Sequence, residues 1–401
     1  MFHKEEAWCA SGVLAAVLAL TLGGCAPMPR TSFTEQEQSR AVIPGIPEAR
    51  YWADSKSTAV EAARYTQMSR EPFRYLALSG GGGDGAFGAG FLKGWSESGT
   101  RPEFTVVSGV STGALIAPFA FLGPAYDDTL KEMYTGGYGI TLVDNPDPLN
   151  ALFGNGVFDS GRLLTLARRF VTSDVIAAVA REHRRGRRLL VTTTNLDAER
   201  SVIWNMGAIA ASGAPGSEEL FRRVMTASAS IPGVFTPTMI DVESGSRYFA
   251  EMHVDGSVIS NIFVLPSEYL LNPARIMSRH GGAIYILNNG KITSDFEVVK
   301  QNTLEIVSRS VSTMIRSSST RTFNDVYTFS KRNGLGFYIV SVPPNIDDSG
   351  TMTFDTDAMR DLYVVGHDQG RSGGAWATRP PAAPVDPQLD GAPRTRTASG
   401  N

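Results

Sequence analysis

Cysteine is scarce in this chain, with only Cys9 and Cys25 among 401 residues. Both lie near the N-terminus, so the rest of the chain has no thiol for a disulfide, a thiolate metal site or a cysteine nucleophile. The chain also has no large excess of either charge, because 37 basic and 40 acidic residues leave a net charge of −3. This balance argues against a broad basic surface for nucleic acid. We expect no metal and no organic cofactor.

Long hydrophobic runs are also missing. The apolar run at residues 13–20 is too short to span a bilayer as a mature helix, and it leads into Leu22-Gly-Gly-Cys25. This tetrapeptide resembles a bacterial lipobox, in which the cysteine is lipidated after cleavage of a signal peptide. We therefore predict a signal peptide at residues 1–24, a lipid anchor on Cys25 and a location in the bacterial cell envelope, at the outer membrane and facing the periplasm. An uncleaved apolar N-terminus is the alternative.

The remaining chain divides by composition into three parts. Residues 25–70 carry several prolines among polar residues and are predicted to be a lipid-anchored tether that leads into a short helix. Residues 71–377 alternate strand-like and helix-like runs, which predicts one α/β domain. Residues 378–401 are rich in Pro, Ala and polar residues and are predicted to be a disordered tail.

A serine stands at the centre of a glycine-flanked turn in the α/β part. Gly109-Val-Ser111-Thr-Gly113 follows a strand-like run and precedes an apolar, helix-like run. This order is typical of a nucleophile elbow, so Ser111 is the candidate nucleophile and Gly109 and Gly113 make room for neighbouring backbone. A structural tight turn is the alternative. Ser372 lies in a second G-x-S-x-G match, but no strand-like run precedes it.

A second glycine-rich turn, Gly80 to Gly85, also lies between a strand-like run and a helix-like run. The backbone N–H groups of Gly81, Gly82 and Gly83 are candidates for an oxyanion hole, because no side chains shield them and a helix starts nearby. The spacing Gly80-x-Gly82-x-x-Gly85 also matches a dinucleotide-binding loop, with Glu103 as the ribose ligand. The serine elbow so soon afterwards argues against that alternative.

Asp255 is the candidate general base. It ends the strand-like run Tyr248–Val254 and starts an Asp-Gly turn with Gly256, which places its carboxylate at the carboxyl edge of a sheet. None of the five histidines lies in a motif that would make it the base. His253 would share a strand face with Asp255, and either assistance to proton transfer or simple packing would explain it.

The three motifs in this order resemble the patatin-like phospholipase family, over roughly residues 74–340. The resemblance implies a three-layer α/β/α sandwich related to the α/β-hydrolases, with a mostly parallel central sheet. It makes residues 71–377 a patatin-like hydrolase domain with a Ser111–Asp255 dyad. Two positions depart from the family pattern, since Asp84 stands where Arg or Lys is common and Ser257 stands where Gly or Ala is usual.

The resulting functional prediction is a serine acyl hydrolase that cleaves lipid acyl esters through an acyl-enzyme and contacts the membrane through its anchor. Two alternatives stay open: a thioesterase or peptidase with the same dyad, and a non-catalytic envelope lipoprotein that binds lipid. Oligomeric state is not predicted.

Two further patterns concern surface and core. The arginines Arg184, Arg185, Arg187 and Arg188 are typical of a solvated surface, and docking to anionic head groups is the sharper hypothesis. A long helix near the C-terminus carries Leu304, Val307, Val311 and Met314 on one face, which predicts a buried stripe.

Overall fold

The computed structural model describes residues 30–55, 72–144, 156–266, 270–271, 281–294, 296, 298–299, 301, 303–346 and 354–381. The predicted signal peptide, Cys25, the predicted short helix before residue 71 and nearly all of the predicted tail lie outside these ranges, so those predictions stay untested. None of the described helices is long and apolar enough to cross a membrane. The same residues include no cluster of His, Cys, Asp and Glu that could bind a metal ion.

The described strands form a large mixed sheet and a separate two-stranded pair. The strands are β1 (Arg50–Trp52), β2 (Phe73–Leu78), β3 (Val106–Val110), β4 (Gly156–Phe158), β5 (Arg188–Asn195), β6 (Arg200–Asn205), β7 (Gly233–Phe235), β8 (Thr238–Ser244), β9 (Arg247–Asp255), β10 (Gly282–Asn288) and β11 (Gly336–Ser341). The main path of the large sheet is β1-β6-β5-β3-β2-β10-β11, and β4 pairs only with β7. From β5 to β11 all neighbours on this path are parallel, which confirms the predicted mostly parallel sheet.

The remaining two strands of the large sheet, β8 and β9, join it beside the end of β5. β5 pairs with β3 as far as the Val110–Thr192 partners, and the next residue, Thr193, pairs with Asp255 of β9. β8 then pairs with β9 as a hairpin. Because β9 runs antiparallel to β5, the carboxyl ends of β3 and β9 meet end to end on the same side of β5. This register brings two distant parts of the chain together.

Helices cover both faces of the sheet. They are α1 (Glu35–Arg40), α2 (Gly85–Glu97), α3 (Thr112–Leu122), α4 (Asp127–Thr135), α5 (Ile140–Val143), α6 (Gly161–Phe170), α7 (Ser173–Arg184), α8 (Met206–Ala211), α9 (Ser217–Ser228), α10 (Thr303–Asn333) and α11 (Thr356–Ser372). Along β2, Leu76 and Leu78 belong to one apolar core, whereas Tyr75 and Ala77 belong to a second core that includes side chains of α10. The expected three-layer α/β/α architecture is therefore confirmed.

Helices α2 and α11 approach each other through glycines. A Cβ at Gly90 of α2 would lie 2.0 Å from the carbonyl oxygen of Tyr363, and one at Gly366 of α11 would lie 2.1 Å from that of Phe87. Backbone this close leaves no room for a side chain. The contact fixes α2, which begins within the glycine-rich turn.

The N-terminal part of the predicted tether is packed rather than extended. Within residues 30–55 the chain forms α1 and then β1, which pairs with β6, and Ile43 and Ile46 are buried in the core. Arg50 of β1 forms a buried ion pair with Glu251 of β9. The tether prediction is wrong here because a few apolar residues and one arginine suffice to attach this segment.

The predicted buried stripe of α10 is also wrong where it is described. Val311 is 38% exposed and Met314 is 68% exposed, whereas the side chains of Leu304 and Val307 are not described. The buried residues of α10 lie in its second half, and they are Phe323, Val326, Tyr327 and Phe329. The helical period was predicted correctly, but Val311 and Met314 in the first half are exposed among the described residues.

We predict that Gly366→Ala destabilises the protein by about 2 kcal/mol, because the added methyl overpacks a closed helix contact. Thermal unfolding should show a lower midpoint. Gly374→Ala is the matched control, since nothing lies within 4 Å of a Cβ there. An equal effect of the two substitutions would contradict the contact.

Candidate active site

Ser111 lies at a strained elbow. It is the residue between β3 and α3, and its φ of 55° and ψ of −126° lie outside the regions that non-glycine residues favour. Such a conformation costs about 1–3 kcal/mol and persists only when its surroundings impose it. A Cβ at Gly109 would lie 2.3 Å from the Gly113 carbonyl oxygen, and one at Gly113 would lie 2.4 Å from that of Leu78. Both motif glycines are therefore required by backbone contact.

Asp255 is buried directly beside this elbow. Its side chain is 2% exposed and accepts a hydrogen bond from the Ser257 N–H at 2.8 Å. Burial raises the pKa of Asp255 to about 6, and interaction with the Ser111 hydroxyl and hydrogen bonds from Ser257 offset part of that rise. Among the described residues, Oδ2 has no hydrogen bond of regular geometry. The carboxylate thus retains an acceptor site close to Ser111.

Two buried serines accept hydrogen bonds from the backbone N–H groups of Ser111 and Asp255. The Ser111 N–H donates to Ser228 Oγ at 3.0 Å, and that hydroxyl donates to the Thr192 carbonyl at 2.7 Å. The Asp255 N–H donates to the Ser230 carbonyl at 2.9 Å. Sequence reasoning assigned these serines no role. The available signal was a pair of small polar residues at the end of an otherwise apolar helix face.

The glycine-rich turn lies against Ser111. A Cβ at Gly80 would lie 3.0 Å from the Ser111 Cβ, and the Gly80 N–H donates to the Asn261 carbonyl at 3.0 Å. Within the described part of the chain, the N–H groups of Gly81, Gly82 and Gly83 donate no hydrogen bond. These three amides, in the turn that leads into α2, are thus available to an anion. The structure places Gly80, the residue directly before the three predicted oxyanion glycines, against the nucleophile.

Two asparagines that sequence reasoning missed support this turn. The Asn289 N–H donates to Ser79 Oγ and its side-chain amide donates to the Ser79 carbonyl, both at 2.8 Å. Asn261 accepts the Gly80 N–H, and its side-chain oxygen accepts a hydrogen bond from the Ser257 hydroxyl at 3.0 Å. Asn261 therefore links the glycine-rich turn to the Asp-Gly turn. No local pattern marks either asparagine, because their partners are distant in sequence.

The remaining residues that the sequence singled out either pack near the elbow or lie away from Ser111. Gly85 packs against Thr112, where a Cβ would lie 2.2 Å from Oγ1, and Gly256 packs against the Thr192 carbonyl. Asp84 is buried and ends the short 3-10 helix Gly82–Asp84, directly before α2. Glu103, the candidate ribose ligand, forms a surface ion pair with Arg187.

His253 faces a different set of partners. Its ring nitrogens lie 2.9 Å from Thr193 Oγ1 and 3.2 Å from Glu251 Oε2, and its ring packs against Trp204. Burial lowers the pKa of His253, although Glu251 opposes that shift. These contacts favour the packing interpretation over assistance to proton transfer.

The fold and these contacts define a class, namely an α/β/α sandwich with a serine elbow, a buried aspartate and a bare glycine turn. Residues 76–267 match the family model described as patatin-like phospholipase. The chain thus contains a patatin-like phospholipase domain, as the motifs indicated. No curated protein matches the sequence.

Three solved structures illustrate what the fold is similar to. VipD from Legionella pneumophila is 12% identical, with 77% of this chain and 68% of that chain covered and a TM-score of 0.39. Full-length ExoU from the type III secretion system of Pseudomonas aeruginosa is 15% identical, with 76% and 52% covered and a TM-score of 0.28. Human GIVD cytosolic phospholipase A2 is 13% identical, with 70% and 50% covered and a TM-score of 0.27. This chain spans about half the length of the last two.

We predict that Asp255→Asn stabilises the folded protein above pH 6. A carboxyl whose pKa is raised from 3.8 to about 6 destabilises the native state progressively as the pH rises through that window. The neutral amide avoids this cost, which is at most about 3 kcal/mol. Unfolding midpoints measured at neutral pH and near pH 4 should show a gain that shrinks in acid. A loss of stability at neutral pH would show that the buried carboxylate is favourably paired.

Proposed function

We propose that this protein is a serine acyl hydrolase in which Ser111 is the nucleophile and Asp255 the general base. The observation that carries the proposal is the position of the Ser111 side chain, at a strained elbow between a buried aspartate and the bare glycine turn. Without a histidine in contact with Ser111 among the described residues, the carboxylate is the available proton acceptor.

The reaction follows from these positions. Asp255 takes the proton of the Ser111 hydroxyl as Oγ attacks the ester carbonyl carbon, and the N–H groups of Gly81, Gly82 and Gly83 stabilise the tetrahedral oxyanion. Asp255 then donates the proton to the departing alcohol as the ester bond breaks. Water attacks the acyl-enzyme, gives a proton to Asp255 and releases the carboxylic acid, after which Ser111 regains its proton.

The raised pKa of Asp255 suits this role. A base with a pKa of about 6 is mostly ionised at neutral pH, yet it is a stronger proton acceptor than an ordinary aspartate. The dipole of α3, which begins at Thr112, also favours negative charge developing on the preceding serine. Burial therefore makes Asp255 a stronger base, and the dipole of α3 provides positive electrostatic potential at Ser111.

The substrate class is proposed from the family. The patatin-like phospholipase domain supports lipid acyl esters as substrates. We also propose that a lipid anchor at Cys25 keeps the enzyme at the outer membrane. A thioester or peptide substrate would require the same dyad, so a substrate panel separates these reactions.

We predict that a fluorophosphonate probe labels the wild-type protein and not Ser111→Ala, and that Asp255→Asn lowers acyl-ester turnover by about 100-fold or more. Labelling and hydrolysis are measured on the same preparations. Ser372→Ala is the matched control, because Ser372 ends α11 and its hydroxyl donates to the Gln369 carbonyl. Equal labelling of all variants would favour the non-catalytic alternative.

We predict that kcat/KM for a soluble ester falls about tenfold per pH unit below pH 6 and levels off above it, because the reaction needs ionised Asp255. The same profile is expected for His253→Gln, which removes the only histidine near the dyad in the described chain. A midpoint that shifts or disappears in that variant would assign the titration to His253 instead.

A further inference from the structure

Ser257 departs from the family pattern in the Asp-Gly turn, and the proposed reaction assigns no role to its hydroxyl. The side chain is partly buried, two residues after Asp255. The Ser257 N–H donates to Asp255 Oδ1 at 2.8 Å, and the Ser257 hydroxyl donates to Asn261 Oδ1 at 3.0 Å. One residue therefore contacts both the proposed base and a residue that supports the glycine-rich turn.

The Ser257 hydroxyl also lies close to the nucleophile. A Cβ at Gly80 would lie 2.6 Å from Ser257 Oγ and 3.0 Å from the Ser111 Cβ. The same Cβ would lie 2.4 Å from Asn261 Oδ1, and the Gly80 N–H donates to the Asn261 backbone carbonyl at 3.0 Å. The side chains of Ser257, Asn261 and Ser111 thus meet at the α-carbon of Gly80, where no side chain separates them.

The directions of the hydrogen bonds around Asn261 follow from Ser319 of α10. The Ser319 hydroxyl donates its proton to the Ile315 carbonyl at 2.8 Å, so its oxygen accepts the Asn261 side-chain N–H at 3.2 Å. The other end of that amide, Oδ1, faces Ser257 and can only accept. Because ionised Asp255 can also only accept, the single hydroxyl proton of Ser257 lies between two acceptors.

The charge of Asp255 decides which acceptor this proton favours. A hydrogen bond to an ionised carboxylate is about twice as strong as one between neutral groups. In agreement, the Ser257 N–H and hydroxyl both lower the pKa of Asp255 against the effect of burial. Once Asp255 is protonated its charge is gone, and the amide oxygen of Asn261 is the stronger acceptor.

Other titratable groups near Asp255 have partners of their own. The nearest two along β9 are His253 and Glu251, which form hydrogen bonds with Thr193 and Arg50 respectively. The influences on the pKa of Asp255 are burial, Ser111 and Ser257, and none of these is a charged group. A change in the Asp255 titration therefore reports on the two serine hydroxyls.

We propose that Ser257 is a positioning residue that couples the charge of Asp255 to the glycine-rich turn. Its hydroxyl donates to Asp255 while that carboxylate is ionised, and to Asn261 Oδ1 once Asp255 has taken the Ser111 proton. Asn261, which also accepts the Gly80 N–H, is therefore held most firmly when the oxyanion forms. No covalent bond changes at Ser257. The proposal rests on the proposed acyl-ester hydrolysis, but half of its test needs no substrate.

The first measurement is the pH profile of kcat/KM for a soluble ester in the wild-type full chain, Ser257→Ala and Ser257→Gly. Removal of the hydroxyl removes stabilisation of the ionised base, so the midpoint should rise by about one pH unit in both variants. The loss relative to wild type is then about tenfold greater near pH 5 than near pH 9. A loss of the same size at every pH is what a purely structural role gives, and it would overturn the proposal.

Ser260→Ala is the matched control. Ser260 lies three residues further along the same turn, and its hydroxyl donates to the Ile262 carbonyl at 2.7 Å. The substitution deletes the same chemical group without touching Asp255 or Asn261, so the wild-type midpoint should be retained. An equal shift in Ser260→Ala and Ser257→Ala would contradict the assignment to Ser257.

The second measurement follows the Asp255 carboxyl itself by carbon NMR of the full chain with isotope-labelled aspartate. Its signal is identified by its absence in Asp255→Asn. The titration should move up by about one pH unit in Ser257→Ala and stay unchanged in Ser260→Ala. An unchanged titration in Ser257→Ala overturns the proposal, whether or not the protein hydrolyses esters. The expected shift in a wild-type protein without ester hydrolysis would refute only the hydrolase function.

Discussion

The arrangement of the site depends on how one strand is shared. β5 gives its first residues to β3 and its last residues to β9, with the change between Thr192 and Thr193. Since β3 and β9 then end against each other, the residue that follows β3 and the last residue of β9 must be neighbours. Ser111 and Asp255 are far apart in the chain, and backbone hydrogen bonds of the sheet bring them together. A rigid sheet edge is a more accurate support for such a pair than two loops would be.

This placement is maintained against two energetic costs. Ser111 has a strained backbone, and Asp255 carries a buried carboxylate whose raised pKa measures the unfavourable burial. Buried hydrogen bonds stabilise both residues, because Ser228 at the end of α9 accepts the Ser111 N–H and Ser230, two residues later, accepts the Asp255 N–H. Sites that concentrate strain and a perturbed carboxylate in one place are typical of catalytic centres. Ser111 and Asp255 thus lower the stability of the folded protein locally, and the surrounding core must stabilise them.

The glycine turn illustrates how the same core orients groups without side chains. Gly80 and Gly81 approach Ser111 and Asn289 so closely that any Cβ would collide. The helix that follows is fixed in turn by the glycine contacts between α2 and α11. Close backbone packing therefore positions the amide groups of this turn. Through the hydrogen bond from the Asn261 side-chain amide to Ser319, the same network extends to α10.

Local sequence was sufficient for the parts of the site that are short motifs. The elbow around Ser111, the glycine turn and the Asp-Gly turn each have a local backbone reason for their residues. Alternating strand-like and helix-like runs predicted an α/β domain, and the resemblance to the patatin-like family implied its mostly parallel sheet. The sequence also favoured Asp255 as base, because no histidine had a suitable context. Residues that act through distant partners left no such signal. Asn261 and Asn289 became recognisable only through their hydrogen bonds.

Tertiary structure alone decided which surfaces are covered. The helical period of α10 correctly predicted a helix, but a period does not state whether another element packs on it, so Val311 and Met314 were wrongly predicted to be buried. In the same way, prolines and polar residues suggested a tether, whereas β1 pairs with β6 and Arg50 reaches Glu251. Local pattern sets backbone conformation through short-range sterics, and burial depends on contacts between segments that the chain brings together only on folding.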